Sequence, residues 1–185
     1  MTKAQLTVLA GPTAVGKGTV VAALTKRYPT LNVSVSATTR DPRPGELNGV
    51  HYYFVSAQEF DAMIERGDML EWALVHGKNK YGTPRGPVDE ALAAGKPVLL
   101  EIDLAGARQV RTNRPDAQFI FLAPPSWEEL ESRLIGRGTE GPEEQARRLA
   151  TARVELEAAS EFDHVVINDD AERAVDELAR LIGLE

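Results

Sequence analysis

A glycine-bearing loop near the start of the chain constrains the fold most strongly. Residues 11–17 read Gly-Pro-Thr-Ala-Val-Gly-Lys, follow a short apolar run at residues 6–10, and precede a helical pattern from about residue 16 to 27. This order of strand, loop and helix is typical of a phosphate-binding loop, in which backbone N–H groups surround phosphates and the lysine reaches their outer oxygens. The sequence therefore predicts a nucleotide phosphate site at the start of an α/β fold.

The position after Lys17 departs from the common form of this loop. A serine or threonine usually follows the lysine and binds magnesium through its hydroxyl. Here Gly18 stands at that position and Thr19 comes next. Thr19 is the candidate metal ligand, although the sequence leaves open which hydroxyl contacts the ion.

Three further apolar runs extend the same rhythm along the chain. They lie at residues 98–102, 119–122 and 165–167, and each is followed by a helical pattern. Ser126 and Glu129 have the spacing of a capping box, which predicts that a helix begins at Trp127. We therefore expect a parallel sheet flanked by helices.

Two segments interrupt this rhythm. Residues 34–83 contain short extended pieces, several prolines and glycines, and one helix start marked by Ser56 and Glu59, which together indicate an inserted lobe. A stretch with three glycines beside arginines, at about residues 136–147, indicates a small lid. The single domain, residues 1–185, would then have its core at 1–33, 84–135 and 148–185.

Composition narrows the function further. The formal charge of −7 argues against a protein whose main task is to grip nucleic acid. Cysteine is absent, which excludes disulfides, thiolate metal sites and a cysteine nucleophile. The apolar run at the N-terminus is too short for a signal peptide or membrane span, so we expect a cytoplasmic protein with no membrane partner, as a monomer or small homo-oligomer.

The motifs resemble those of guanylate kinases within the P-loop nucleoside monophosphate kinase family. The loop variant Gly-Lys-Gly-Thr at residues 16–19 is similar to that of adenylate-kinase-like enzymes, and residues 36–46 resemble the guanylate kinase signature Ser-x-x-Thr-x-Arg-x-x-Arg-x-x-Glu. Similar segments lie at 49–54, 70–73, 81–83, 101–103, 133–139 and 166–170, so the resemblance covers nearly the whole chain. It implies a P-loop NTPase-type fold with an inserted GMP-binding lobe and a lid.

The resemblance also implies which residues bind GMP. The phosphate would be held by Arg40, Arg43, Tyr52 and Tyr81, and the guanine would be read by Ser36, Glu71, Thr83 and Asp103. This chemistry is reasonable, because guanidinium groups bind phosphate bidentately and a carboxylate suits the N1–H and N2–H₂ donors of guanine. Adenine presents a lone pair at N1, so the same carboxylate would favour GMP over AMP.

For the donor side, the resemblance implies magnesium-bound ATP in the phosphate loop. The ATP-binding residues would be Gly11, Pro12, Thr13, Ala14, Val15, Gly16, Lys17, Gly18, Thr19, Arg137 and Asn168. Glu101 would lie near the metal or its waters, beside Thr19. The catalytic group would comprise Lys17, Arg40, Arg133, Arg137 and Arg148.

Two other functions share this pattern. A guanylate-kinase-like binding module keeps the fold and grips phosphorylated protein segments, but such modules typically lack an intact ATP loop. A P-loop kinase for another monophosphate is disfavoured by Ser36 and Glu71.

Overall fold

The computed structural model describes residues 3–136, 138 and 140–185. Its strands are β1 (Leu6–Ala10), β2 (Asn32–Val33), β3 (Ala37–Thr38), β4 (Tyr53–Phe54), β5 (Met69–Val75), β6 (Asn79–Pro84), β7 (Val98–Glu101), β8 (Gln118–Ala123) and β9 (His164–Ile167). Its helices are α1 (Lys17–Arg27), α2 (Ala57–Glu65), α3 (Arg85–Ala93), α4 (Leu104–Asn113), α5 (Trp127–Ile135), α6 (Pro142–Glu157) and α7 (Ala171–Ile182), with a 3₁₀ turn at Ala158–Glu161.

In the described residues, the central sheet contains five strands in the order β2-β7-β1-β8-β9, and every pair is parallel. Successive side chains of a strand point to opposite faces, so β1 contributes to two cores. Leu9 packs with α1 and α7, whereas Val8 packs on the other face with α3 and α4. The predicted parallel sheet flanked by helices is confirmed.

The inserted lobe is built on a second, smaller sheet. Its order is β4-β3-β6-β5, and β5 pairs antiparallel with β6 through a tight hairpin. The connecting residues 76–78 include two with positive φ, His76 (52°) and Gly77 (63°), which is common in tight hairpin turns. Phe60 of α2 is fully buried against this sheet.

Both helix starts predicted from serine–glutamate spacing are confirmed, and each is capped by its serine side chain. The Ser56 hydroxyl accepts the N–H of Glu59 at 3.0 Å at the start of α2, and the Ser126 hydroxyl accepts that of Glu129 at 3.2 Å at the start of α5. Helix α6 begins at Pro142, so its first turn falls inside the segment expected to form a lid. The lid boundaries themselves stay a prediction.

No helix among the described residues has both the length and the apolar character needed to cross a membrane.

Candidate active site

The predicted phosphate loop lies at the carboxyl edge of the central sheet, where ligands bind in open α/β folds. Strand β1 ends at Ala10 and α1 begins at Lys17. Gly16 caps this helix with φ of 94°, a conformation that side chains rarely adopt, and contributes no capping side chain. The N–H groups at the helix start are thus left for an anion.

Two side chains from distant segments hold the loop through a single carbonyl oxygen. The Asn168 amide donates to the oxygen of Val15 at 2.8 Å, and Arg133 Nη1 donates to the same oxygen at 3.3 Å. A Cβ at Gly16 would lie 2.8 Å from Asn168 Nδ2, so only glycine leaves room for this contact. The structure places Asn168 and Arg133 beside the loop and gives both a positioning contact that the sequence does not reveal.

Lys17 lies among carboxylates at the mouth of the loop. Its ammonium donates to the carbonyls of Gly11 at 3.4 Å and Ile102 at 3.3 Å. A cleft of about 370 Å³ opens here, lined by residues 11–19 and by Glu101, Asp103 and Glu155. Burial lowers the pKa of Lys17, and these three carboxylates oppose that effect by stabilising its charged form.

Two side chains at this cleft, Glu101 and Thr19, carry oxygens that could hold magnesium. Glu101, at the end of β7, lies close to Gly18 of the loop: its Oε1 atom would be 3.9 Å from a Cβ built on Gly18. Thr19 is exposed in the first turn of α1. Within residues 3–136, 138 and 140–185, no group of three or more His, Cys, Asp or Glu side chains could hold a metal by itself. Magnesium needs no such cage, since it keeps several waters and takes oxygens from one or two side chains and from phosphates.

A polar cluster of Glu71, Thr83 and Asp103 forms where the lobe meets the core. Glu71 of β5 and Thr83 of β6 are directly paired across the strands, and the Thr83 hydroxyl donates to Glu71 Oε1 at 2.8 Å. Both residues are buried. Burial raises the pKa of Glu71, the Thr83 hydrogen bond opposes this, and the nearby Asp103 adds to it.

Gly106 makes room for the carboxylates of Glu71 and Asp103. A Cβ at Gly106 would lie 3.0 Å from Glu71 Oε2 and 3.1 Å from Asp103 Oδ1, and the Asp103 carboxylate also caps α4 through the Gly106 N–H at 2.7 Å. Asp103 also lines the cleft of the phosphate loop. The phosphate-loop cleft and the polar cluster therefore share Asp103.

Side-chain amides of α4 fix the strand that carries Glu71. Gln109 exchanges two hydrogen bonds with the backbone of Trp72, at 3.0 and 2.9 Å. Asn113 Nδ2 donates to the carbonyl of Leu70 at 2.8 Å. The residues on both sides of Glu71 are thus tied to the core, a role for Gln109 and Asn113 that sequence reasoning missed.

Arg40 lies in an aromatic and acidic setting in the lobe. Its guanidinium donates to both oxygens of Glu46, at 2.9 and 3.0 Å, and lies 5.2 Å from the ring centre of Tyr52. The rings of Tyr52 and Tyr81 are 6.0 Å apart, edge to face. Hydrogen bonds from Arg40, and from the backbone of Arg43, lower the pKa of Glu46 to about 2, so the pair stays charged at neutral pH.

The remaining predicted GMP residues lie on the same lobe. Ser36 is partly buried just before β3, and Arg43 is exposed in the segment that follows Arg40. The structure thus brings Arg40, Tyr52 and Tyr81 together and separately joins Glu71, Thr83 and Asp103.

The other two arginines of the expected catalytic group are Arg137 and Arg148. Arg148 of α6 forms an ion pair with Glu140 at 2.5 Å. Arg137 lies outside the described residues. Arg153 lies on the same helix but is not among the expected site residues; it is exposed and lies 3.9 Å from the ring centre of Trp127, so it packs on α5.

A phosphate loop on a parallel sheet, adjoined by a buried carboxylate and hydroxyl on an inserted lobe, defines a P-loop nucleoside monophosphate kinase. The guanylate kinase family model matches residues 3–185, and the chain belongs to this family.

Comparison with individual proteins agrees with this assignment. A guanylate kinase of Nocardia farcinica is 59% identical over 180 residues, covering 97% of this chain and 93% of the relative. A guanylate kinase of Thermobifida fusca is 60% identical over 179 residues, covering 97% and 91%. The crystal structure of guanylate kinase from Anaplasma phagocytophilum superposes with a TM-score of 0.73 at 30% identity, covering 99% of this chain and 86% of that one.

Proposed function

We propose that this protein transfers the γ-phosphoryl group of magnesium-bound ATP to the phosphate of GMP, giving ADP and GDP. The observation that carries the proposal is the position of Asp103, which lines the phosphate-loop cleft and also lies near Glu71 in the polar cluster. ATP in the cleft and a guanine nucleotide at the cluster would be neighbours. Such proximity converts transfer between two molecules into a reaction within one complex.

Each group has a defined role in this proposal. Glu71, Thr83, Asp103 and Ser36 bind the guanine, and Arg40, Arg43, Tyr52 and Tyr81 orient its phosphate. An oxygen of that phosphate attacks the γ-phosphorus of ATP as the bond to the β-phosphate oxygen breaks. The acceptor is already a nucleophile, so positioning and charge neutralisation suffice and no general base is needed.

The donor side neutralises charge. Lys17 and the loop N–H groups hold the phosphates of ATP, while Arg133, Arg137 and Arg148 stabilise the group in transfer. Magnesium, held by Thr19 and Glu101 directly or through water, would neutralise charge on the triphosphate. Cytoplasmic location, the absence of nucleic acid partners and a monomeric or small oligomeric state stay predictions.

Product analysis of the wild type and two arginine variants tests this function. With ATP, magnesium and GMP, the wild type should form ADP and GDP in equal amounts. Arg148→Ala should lower kcat at least about a hundredfold, with the GMP Kd changed less than about fivefold, because the contact forms mainly in the reacting state. Arg147→Ala is the matched control, since the Arg147 side chain lies next to Arg148 in sequence, is 71% exposed and pairs with Glu144 on the helix surface.

One outcome would contradict the proposed transfer, and two would contradict the role of Arg148. ADP formed with inorganic phosphate instead of GDP would show hydrolysis rather than transfer. Equal losses of kcat and GMP affinity in Arg148→Ala, or a similar loss of kcat in Arg147→Ala, would remove Arg148 from the transfer step.

A further inference from the structure

Glu155 is a carboxylate in the donor cleft that the proposed mechanism does not use. It lies on α6, on the same helix face as Arg148 and Ala152, since the three are spaced four and three residues apart. Ala152 is fully buried against Leu130 and Leu134 of α5. This packing turns the face of α6 inward, and Glu155 consequently lines the cleft beside the phosphate loop.

The surroundings of Glu155 resemble those of a bound phosphate oxygen. Burial raises the pKa of Glu155 and Asp103 adds to this effect, whereas Lys17 and the backbone N–H of Thr13 oppose it by stabilising the charged form. Its Oε1 atom is buried and has no hydrogen-bond partner among the described residues. An acceptor of this kind is costly unless a donor reaches it.

The identity of that donor depends on the state of the triphosphate. Phosphate oxygens are acceptors, so a metal-free triphosphate in the loop gives Glu155 no hydrogen bond and repels its charge. A divalent cation removes two charges from the triphosphate and carries water molecules whose O–H groups can donate to the carboxylate. Glu155 therefore distinguishes the two forms of the same nucleotide.

We propose that Glu155 is a specificity-determining residue that makes the donor site prefer the metal complex of a nucleoside triphosphate over the metal-free triphosphate. The inference rests on the proposed function, because that function makes ATP the donor. Lys17 cannot provide this preference. Its positive charge attracts both the metal-bound and the metal-free triphosphate, and it attracts the metal-free form more strongly. Glu155, which would set this preference, lies on the same helix, α6, as Arg148.

The test is the ratio of two ATP dissociation constants, measured by calorimetry with excess magnesium and with a chelator. Glu155→Gln keeps the shape and an acceptor oxygen but removes the charge. This variant should bind metal-free ATP more tightly, and the preference for magnesium–ATP should fall about tenfold or more, the scale of one partly screened charge interaction. Glu157→Gln, an exposed residue at the end of the same helix, is the matched control and should keep the wild-type ratio.

The outcomes separate this inference from its alternatives. The inference would be overturned if the ratio of the two ATP dissociation constants in Glu155→Gln stays within about twofold of the wild type. It would also be overturned by an equal loss of affinity for metal-free and magnesium-bound ATP, because that result indicates a purely structural role. Melting temperatures verify folding, and Glu155→Ala should repeat the change in ratio if the amide variant is unstable. The measurement omits GMP, so a failure of GDP formation in the wild type would count against the proposed function alone.

Discussion

Lys17→Ala should lower kcat at least about a thousandfold while leaving the GMP Kd nearly unchanged. The ammonium lies at the mouth of the phosphate loop, where it would meet the outer phosphate oxygens, and loss of one such preorganised group costs about 10²–10³ in rate. The surroundings add to the loss, because Glu101, Asp103 and Glu155 line the same cleft. Without the cation these carboxylates would repel the triphosphate.

Steady-state kinetics together with GMP titration measure this prediction. Lys26→Ala is the matched control, since Lys26 is exposed near the end of the same helix and should tolerate the change. Turnover in Lys17→Ala close to that of the wild type would refute the assignment of the phosphate loop. A large loss of GMP affinity would instead indicate that the variant disturbs the whole cleft.

Glu71→Gln should weaken GMP binding about 10²–10⁴-fold and reduce the preference for GMP over AMP. A carboxylate can accept both the N1–H and N2–H₂ groups of guanine, and hydrogen bonds to charged groups are worth about 1.5–3 kcal/mol each. The amide retains only one acceptor oxygen. Thr83 already donates to one oxygen of Glu71, which fixes the orientation of the group.

Binding of GMP and AMP to the variant measures this effect. Glu59→Gln is a suitable control, because Glu59 belongs to the same lobe and forms an exposed ion pair with Arg66. An unchanged preference for GMP in Glu71→Gln would mean that another group reads the base. An equal loss of affinity for GMP and AMP would indicate that the variant disturbs the structure of the site, and not that it removes recognition of the base.

Local signals explain why much of the fold was predictable. The strand, loop and helix at residues 6–27 follow from an apolar run, a glycine-bearing loop and helical periodicity in adjacent residues. The starts of α2 and α5 follow from the capping-box pattern Ser-x-x-Glu, which spans only four residues of sequence. The inserted lobe was recognisable because its prolines, glycines and short extended pieces interrupt the alternation of strand and helix patterns. Its strand order was not predictable, because strand pairing depends on partners far along the chain.

The supporting contacts of the site could not be predicted for the same reason. Asn168 and Val15 are 153 residues apart, and Gln109 and Trp72 are 37 apart, so no local pattern marks either pair. Glu155 is one of several acidic residues on α6, and only the packing of Ala152 against α5 distinguishes it from the others. Gly106 was a usable sequence signal for the site. Glycine is unfavourable inside a helix, so its presence indicates that another group packs closely there.

The central claim is that the chain phosphorylates GMP specifically, and the most direct measurement is kcat/KM for AMP, GMP, CMP and UMP with magnesium–ATP. The account predicts GDP as the main product and a preference for GMP over AMP of about 10⁴ or more, the discrimination available to a site of buried hydrogen bonds. Comparable use of AMP or of a pyrimidine monophosphate would contradict the assignment of Glu71 and Thr83 as the groups that read guanine.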